Sequence, residues 1–226
     1  MYAWRNGLVV GLAAAMLLAA QAHASEGEAR ALKAAAGTVE RDGTRLMIHL
    51  TSGKAKVLND GPSCNDEATK ANSCYGYEFD RYDQARGLFV VRQYYYEGGD
   101  HILVDDRTGE ETRLQSAPSF SPHGDIAVEL VYGESHYYTG NPALNVWRRV
   151  GGKFVREWSM PIVDDGQYEI LGWASNESVD IREVTRLGSV WPNGETILDD
   201  AGVRVLSIAK NGTWRASTKK FVPEPE

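Results

Sequence analysis

Long apolar runs are almost missing from this chain. The one present, residues 7–20, holds about 14 residues against the ~20 that a helix needs to cross a bilayer. It follows Arg5 and leads to Ala22-His23-Ala24 ahead of Ser25, which puts small residues at the two positions that signal peptidase reads. This pattern predicts an export signal over 1–24, cleavage after Ala24, a periplasmic or secreted destination and no stable membrane insertion afterwards. Basic blocks are missing too. The formal net charge is −7 and becomes −8 over the 202 residues that follow the signal, which argues against nucleic acid and anionic membrane as main partners. Cysteine is scarce: Cys64 and Cys74 stand ten positions apart in a polar loop. An isolated pair in an exported chain predicts a disulfide, worth about 2–3 kcal/mol on the chain-entropy account. A metal or thiol site lacks support, because the loop has no Cys-x-x-Cys and no histidine.

Catalytic signatures are absent as well. There is no Gly-x-Ser-x-Gly, no His-Glu-x-x-His, no phosphate loop and no dinucleotide fingerprint. Ser121, His123 and Asp125 include the residue types of a triad, but they alternate within one turn-plus-strand segment, whereas triads are assembled from distant segments. They read as turn residues. After the signal, histidines stand at 49, 101, 123 and 136. His101 with Asp100, Asp105 and Asp106 has the chemistry of a divalent-ion site, as does His136. Turn caps or solvated strand positions account for these histidines more simply. The acidic pairs at 105–106, 164–165 and 199–200 lack calcium-loop spacing. No catalytic residue, metal or cofactor is expected.

Helical periodicity is confined to residues 25–36. Ser25 with Glu28 three positions on resembles a capping box, and the Ala-rich composition suits a helix. With almost no apolar face to bury, the segment is expected to be a short helix or a frayed leader. From residue 37 the pattern is that of strands. Arg45-Leu46-Met47-Ile48-His49-Leu50, Gly87-Leu88-Phe89-Val90-Val91 and Asp125-Ile126-Ala127-Val128-Glu129-Leu130 are short apolar runs, bounded by turn pairs such as Asp42-Gly43, Thr108-Gly109 and His123-Gly124. Residues 37–216 are therefore expected to be all-β, and 217–226, polar and Pro-containing, a loose tail.

The strand units repeat. Val39, Tyr82 and Phe120 each precede a polar turn that leads into an apolar strand, and Trp173 opens a degraded fourth copy. The spacings are 43, 38 and 53 residues, close to a four-stranded propeller blade of ~40–50. Leu103-Val104-Asp105-Asp106-Arg107-Thr108-Gly109, followed by Pro118-Ser119-Phe120-Ser121-Pro122-His123-Gly124, resembles the repeat of exported TolB-type and tryptophan-aspartate-like β-propellers. In that repeat an Asp-x-x-Thr-Gly hairpin precedes Phe-Ser-Pro-Asp-Gly; here His123 replaces the Asp. The likeness covers roughly 30 residues clearly and about 140 loosely. It implies a β-propeller-like repeat of about four small antiparallel sheets. An open curled sheet or a β-sandwich is the alternative, since the spacing is irregular.

Two tyrosine clusters occupy corresponding places in successive repeats: Tyr94, Tyr95 and Tyr96 with His101, and His136, Tyr137 and Tyr138. Tyrosine rings offer contact area at low entropy cost with a polar tip, so these residues are the candidate binding surface. Tyrosine also favours strands and can simply cover an edge. Trp147, Trp158, Trp173, Trp191 and Trp214 are expected to pack between repeats. The function expected is an exported, non-enzymatic binding or scaffold protein of the envelope, with another envelope protein or a polysaccharide as partner. The alternative is an exported hydrolase or lyase acting on a polymer, with His49, His101 and Asp125 converging in a central depression.

Overall fold

Glycines in the left-handed region open hairpins where the repeat calls for them: Gly43, Gly87 and Gly124 have φ of 55°, 59° and 74°. The computed structural model describes residues 25–62, 74–96, 98–131, 143–161, 166–185, 189–190, 196–197, 203–211 and 213–219. The expected signal over 1–24, Cys64, Trp191, His136, Tyr137 and Tyr138 lie outside the described residues. The expected disulfide therefore rests on a residue that is not described; Cys74 itself is buried.

The fold is all-β after one helix, α1 (Glu26–Ala34). The first sheet is the meander β1 (Val39–Asp42), β2 (Arg45–His49) and β3 (Ala55–Asn59). The second runs β4 (Gly76–Asp83), β5 (Leu88–Tyr95), β6 (Gly98–Asp105) and β7 (Glu111–Leu114). The third orders β8 (Ser119–Phe120), β9 (Ile126–Val131), β10 (Ala143–Val150) and β11 (Lys153–Pro161). The fourth is β12 (Gly166–Ser175), β13 (Ser178–Thr185), β16 (Val203–Asn211) and β17 (Thr213–Lys219). β14 (Ser189–Val190) and β15 (Thr196–Ile197) form a small ladder between β13 and β16 in the chain. Among the described residues no sheet closes on itself. Each of the four repeat copies falls on the first hairpin of one sheet: β1–β2, β4–β5, β8–β9 and β12–β13. β17 carries strand structure to Lys219, past the expected boundary at 216. No helix among the described residues is long and apolar enough to cross a membrane.

The chain divides into two compact units, 1–113 and 114–226. In the first, Leu46, Ile48 and Leu58 of the first sheet, with Leu50 just past β2, pack with Phe79, Phe89, Val91, Ile102 and Val104 of the second. Full burial of such side chains stabilises by about 1.5–3 kcal/mol each. Helix α1 seals this unit. Ser25 Oγ accepts from the Glu28 N–H at 3.0 Å, as the capping pattern predicts. The Glu28 carboxylate, however, reaches into the sheets: it accepts from the Phe79 N–H at 2.9 Å and pairs with Arg41 at 2.8 Å. Arg41 also pairs with Asp60 at 3.0 Å and donates to the Tyr77 carbonyl, while Asp60 accepts from the Tyr77 N–H at 2.8 Å. β4 is an edge strand, and unpaired edge groups invite pairing with other chains; here three side chains bond the Tyr77 N–H and carbonyl and the Phe79 N–H.

In the second unit, Ile126, Val128, Leu130, Leu144 and Val146 of the third sheet share a core with Tyr168, Val179, Ile181 and Trp214 of the fourth. Tryptophans tie the two sheets, as expected: Trp173 Nε1 donates to Ser119 Oγ at 3.1 Å and Trp214 Nε1 to Glu157 Oε2 at 2.9 Å. All six residues of β9 are buried, including Glu129. A buried carboxylate survives only when hydrogen-bonded, and Glu129 accepts from the N–H groups of Gln115 and Ser116, from Asn145 Nδ2 and from Trp147 Nε1.

Candidate functional site

Side chains alternate across a strand, and this alternation separates the three adjacent tyrosines of the second sheet. Along β5, Arg92 and Tyr94 are exposed, Gln93 is buried and Tyr95 is half-buried. The register pairs Arg92 with His101, Gln93 with Asp100, Tyr94 with Gly99 and Tyr95 with Gly98. Tyr94 and His101 thus share one face, Gln93, Tyr95 and Asp100 the other, and Tyr96 follows at the turn.

Tyr94 is 43% exposed, and its phenol lies across Gly76. A Cβ at Gly76 would sit 2.1 Å from the Tyr94 hydroxyl, so only glycine leaves room for this ring position. Tyr96 is 56% exposed. Tyr95 is anchored instead of presented: its hydroxyl donates to Asp100 Oδ2 at 2.9 Å and accepts from Arg113 Nη1 at 2.6 Å. Arg113 lies 3.5 Å from the same carboxylate. Burial, with the Asp100 carboxylate beside it, raises the Tyr95 phenol to about 12, so the hydroxyl keeps its proton. Burial, reinforced by Arg92 and Arg81, holds the His101 imidazole below its ordinary value against the pull of Asp80 and Asp100. Its Nδ1 is buried and has no hydrogen-bond partner among the described residues.

Residues that sequence reasoning passed over complete the same end of the sheet. Tyr75 and Tyr77 meet edge to face, ring centres 5.9 Å apart, and Tyr77 is the register partner of Gln93. The alternation of Tyr75, Tyr77 and Phe79 ahead of a strand containing Tyr95 was the available signal. His136, Tyr137 and Tyr138 lie outside the described residues, so only the first tyrosine cluster has a geometry.

The residues weighed for catalysis have other partners. Ser121 is fully buried; its Oγ accepts from the Ile126 N–H at 3.2 Å and donates to Asp125 Oδ1 at 3.3 Å. Asn176 Nδ2 donates to Asp125 Oδ1 at 2.8 Å and Asn176 Oδ1 accepts from the His123 N–H at 3.0 Å. Burial alone would raise the Asp125 carboxyl, but hydrogen bonds from Asn176, its own backbone and Ser121, with Arg148 nearby, hold it below the usual range. These contacts join the turns that open the third and fourth sheets, and they leave Ser121 no exposed oxygen for attack. His49 Nε2 lies 3.4 Å from Glu40 Oε1 on the first sheet. Among the described residues no group of three or more His, Cys, Asp or Glu could hold a metal ion. No protein-family model matches the chain, and no curated protein matches it in sequence.

Proposed function

We propose that this is an exported, non-enzymatic binding protein of the cell envelope that uses the tyrosine end of its second sheet to capture another macromolecule, an envelope protein or a polysaccharide. The observation that carries this reading is the exposure of Tyr94 and Tyr96 on a hairpin whose surroundings are pinned. Gly76 leaves room for the Tyr94 ring, and the Tyr95–Asp100–Arg113 bonds on the other face pin the strand that carries it, so the presenting hairpin loses little freedom on binding. The export signal read at 1–24 supports the location. A β-propeller-like scaffold is supported by the repeat: four successive sheets each open with a hairpin at a repeat copy, and within each unit two small sheets bury their apolar faces in a shared core.

The test compares residues 25–226 with the Tyr94→Ala/Tyr96→Ala variant as bait in envelope extract. The expected outcome is loss of a specific partner in the variant. An unchanged partner set contradicts the assignment of this surface.

A further inference from the structure

On the face opposite Tyr94, the same end of the sheet carries a polar group that folding leaves unmatched. Gln93 is 5% exposed, and its Oε1 has no hydrogen-bond partner among the described residues. For stability alone, an apolar side chain of similar volume would suit this position better, since an unpaired buried carboxamide oxygen is destabilising. Gln93 lies in register with Tyr77 on β4 and Asp100 on β6, and Tyr95 follows two residues on along the same face. The charges around it are already matched: Arg113 stands against Asp100, and Lys56 Nζ pairs with Glu111 Oε1 at 2.7 Å. A charged ligand therefore finds no open counter-charge. What is open is hydrogen-bonding capacity of both kinds. Gln93 Oε1 and Asp100 accept; the guanidinium of Arg113, its side chain 51% exposed, and the Tyr77 hydroxyl donate. Burial, with Tyr75 adjoining, raises the Tyr77 phenol and keeps that proton in place.

We propose that Gln93, Tyr77, Asp100 and Arg113, with Tyr75 at the rim, form a subsite for a neutral, hydroxyl-rich ligand, one sugar unit, whose O–H donates to Gln93 Oε1. Sugar hydroxyls each both donate and accept and stand side by side on the ring, which matches this alternation of acceptors and donors; a peptide unit also has one donor and one acceptor, but its planar trans geometry points them in opposite directions. The terminal torsion of glutamine is broad and soft, so an arriving hydroxyl draws Oε1 toward itself at little cost. The inference rests on the reading of the protein as a binding module, and it adds a ligand class on a face distinct from Tyr94.

The experiment follows the side-chain amide signals of Gln93 by NMR in residues 25–226 while glucose, galactose or mannose is titrated in, with N-methylacetamide as the amide probe. A saturable shift with at least one sugar is expected. In Gln93→Leu, which lacks that signal, the backbone amides of Tyr77, Tyr95 and Asp100 are followed in both proteins and should report binding weakened about tenfold or more, with a urea midpoint that equals or exceeds that of the parent. The parent titration needs no variant to fold. No saturable shift with any sugar, a response to N-methylacetamide alone, or an undiminished sugar response in Gln93→Leu would overturn the subsite. Capture of the envelope partner by Gln93→Leu separates failure of this subsite from failure of the Tyr94 and Tyr96 surface.

Discussion

The two ends of the second sheet treat hydrogen bonds in opposite ways. At the end bearing the turns at 84–87 and 106–109, Leu88, Phe89, Val90 and Val91 face Leu103, Val104 and Asp105, buried on both sides of the sheet. The Asp105 carboxylate there accepts from the N–H groups of Arg107 and Thr108 at 3.1 and 2.7 Å and from the Thr108 hydroxyl at 2.8 Å. Tyr82 donates to Asp106 Oδ2 at 2.9 Å, and Gly87 passes so close that a Cβ would lie 2.9 Å from Asp106 Oδ1. At the far end, two tyrosines stand exposed while Gln93 Oε1 and His101 Nδ1 have no partner among the described residues. Turns rich in side-chain-to-backbone hydrogen bonds fix register. Open polar atoms beside exposed rings are a liability for folding and a resource for recognition, so the contrast separates the part that stabilises from the part available to bind.

The comparison can be broken from the stable side first. Glu28→Ala leaves the buried Arg41 guanidinium with Asp60 as its remaining carboxylate and strips the Phe79 N–H of its acceptor; unfolding in urea should show a loss of about 3–4 kcal/mol. Asp105→Ala frees three donors at a part-buried turn and should lose about 1–3 kcal/mol in the same measurement. A smaller effect is expected from His101, whose folded value lies below the ordinary 6.5. As pH falls through 6.5 the unfolded chain takes up the proton before the folded one, so stability present above 6.5 is lost downward toward the folded value. Urea midpoints at descending pH should fall in the parent and fall less in His101→Gln. Least of all, Tyr94→Ala/Tyr96→Ala should lower stability by under about 1 kcal/mol, because the two side chains are 43% and 56% exposed.

The repeat was legible because its chemistry is local. Polar turns at Gly43, Gly87 and Gly124 require positive φ, and the apolar runs after them can only be inner strands. The helix start was legible for the same reason, through Ser25 and Glu28. The destination of the Glu28 carboxylate was not, since Phe79 lies 51 positions away and no spacing announces it. Glu129 illustrates the same limit: in a strand it reads as a solvent-facing residue, yet all of β9 is buried and its four donors come from two segments, Gln115-Ser116 and β10. For the candidate site, composition drew attention to Tyr94, Tyr95 and Tyr96 together, whereas the period of two turns Tyr95 inward against Asp100. Gln93 drew no attention because burial of a neutral amide leaves no mark in sequence.

The most direct test measures the urea midpoint and the capture of an envelope partner side by side on Tyr94→Ala/Tyr96→Ala and Asp105→Ala. The account predicts that the first variant keeps its midpoint and loses capture, while the second loses midpoint and, under conditions where it stays folded, keeps capture. Capture retained by the tyrosine variant, or lost from a folded Asp105→Ala protein, would contradict it.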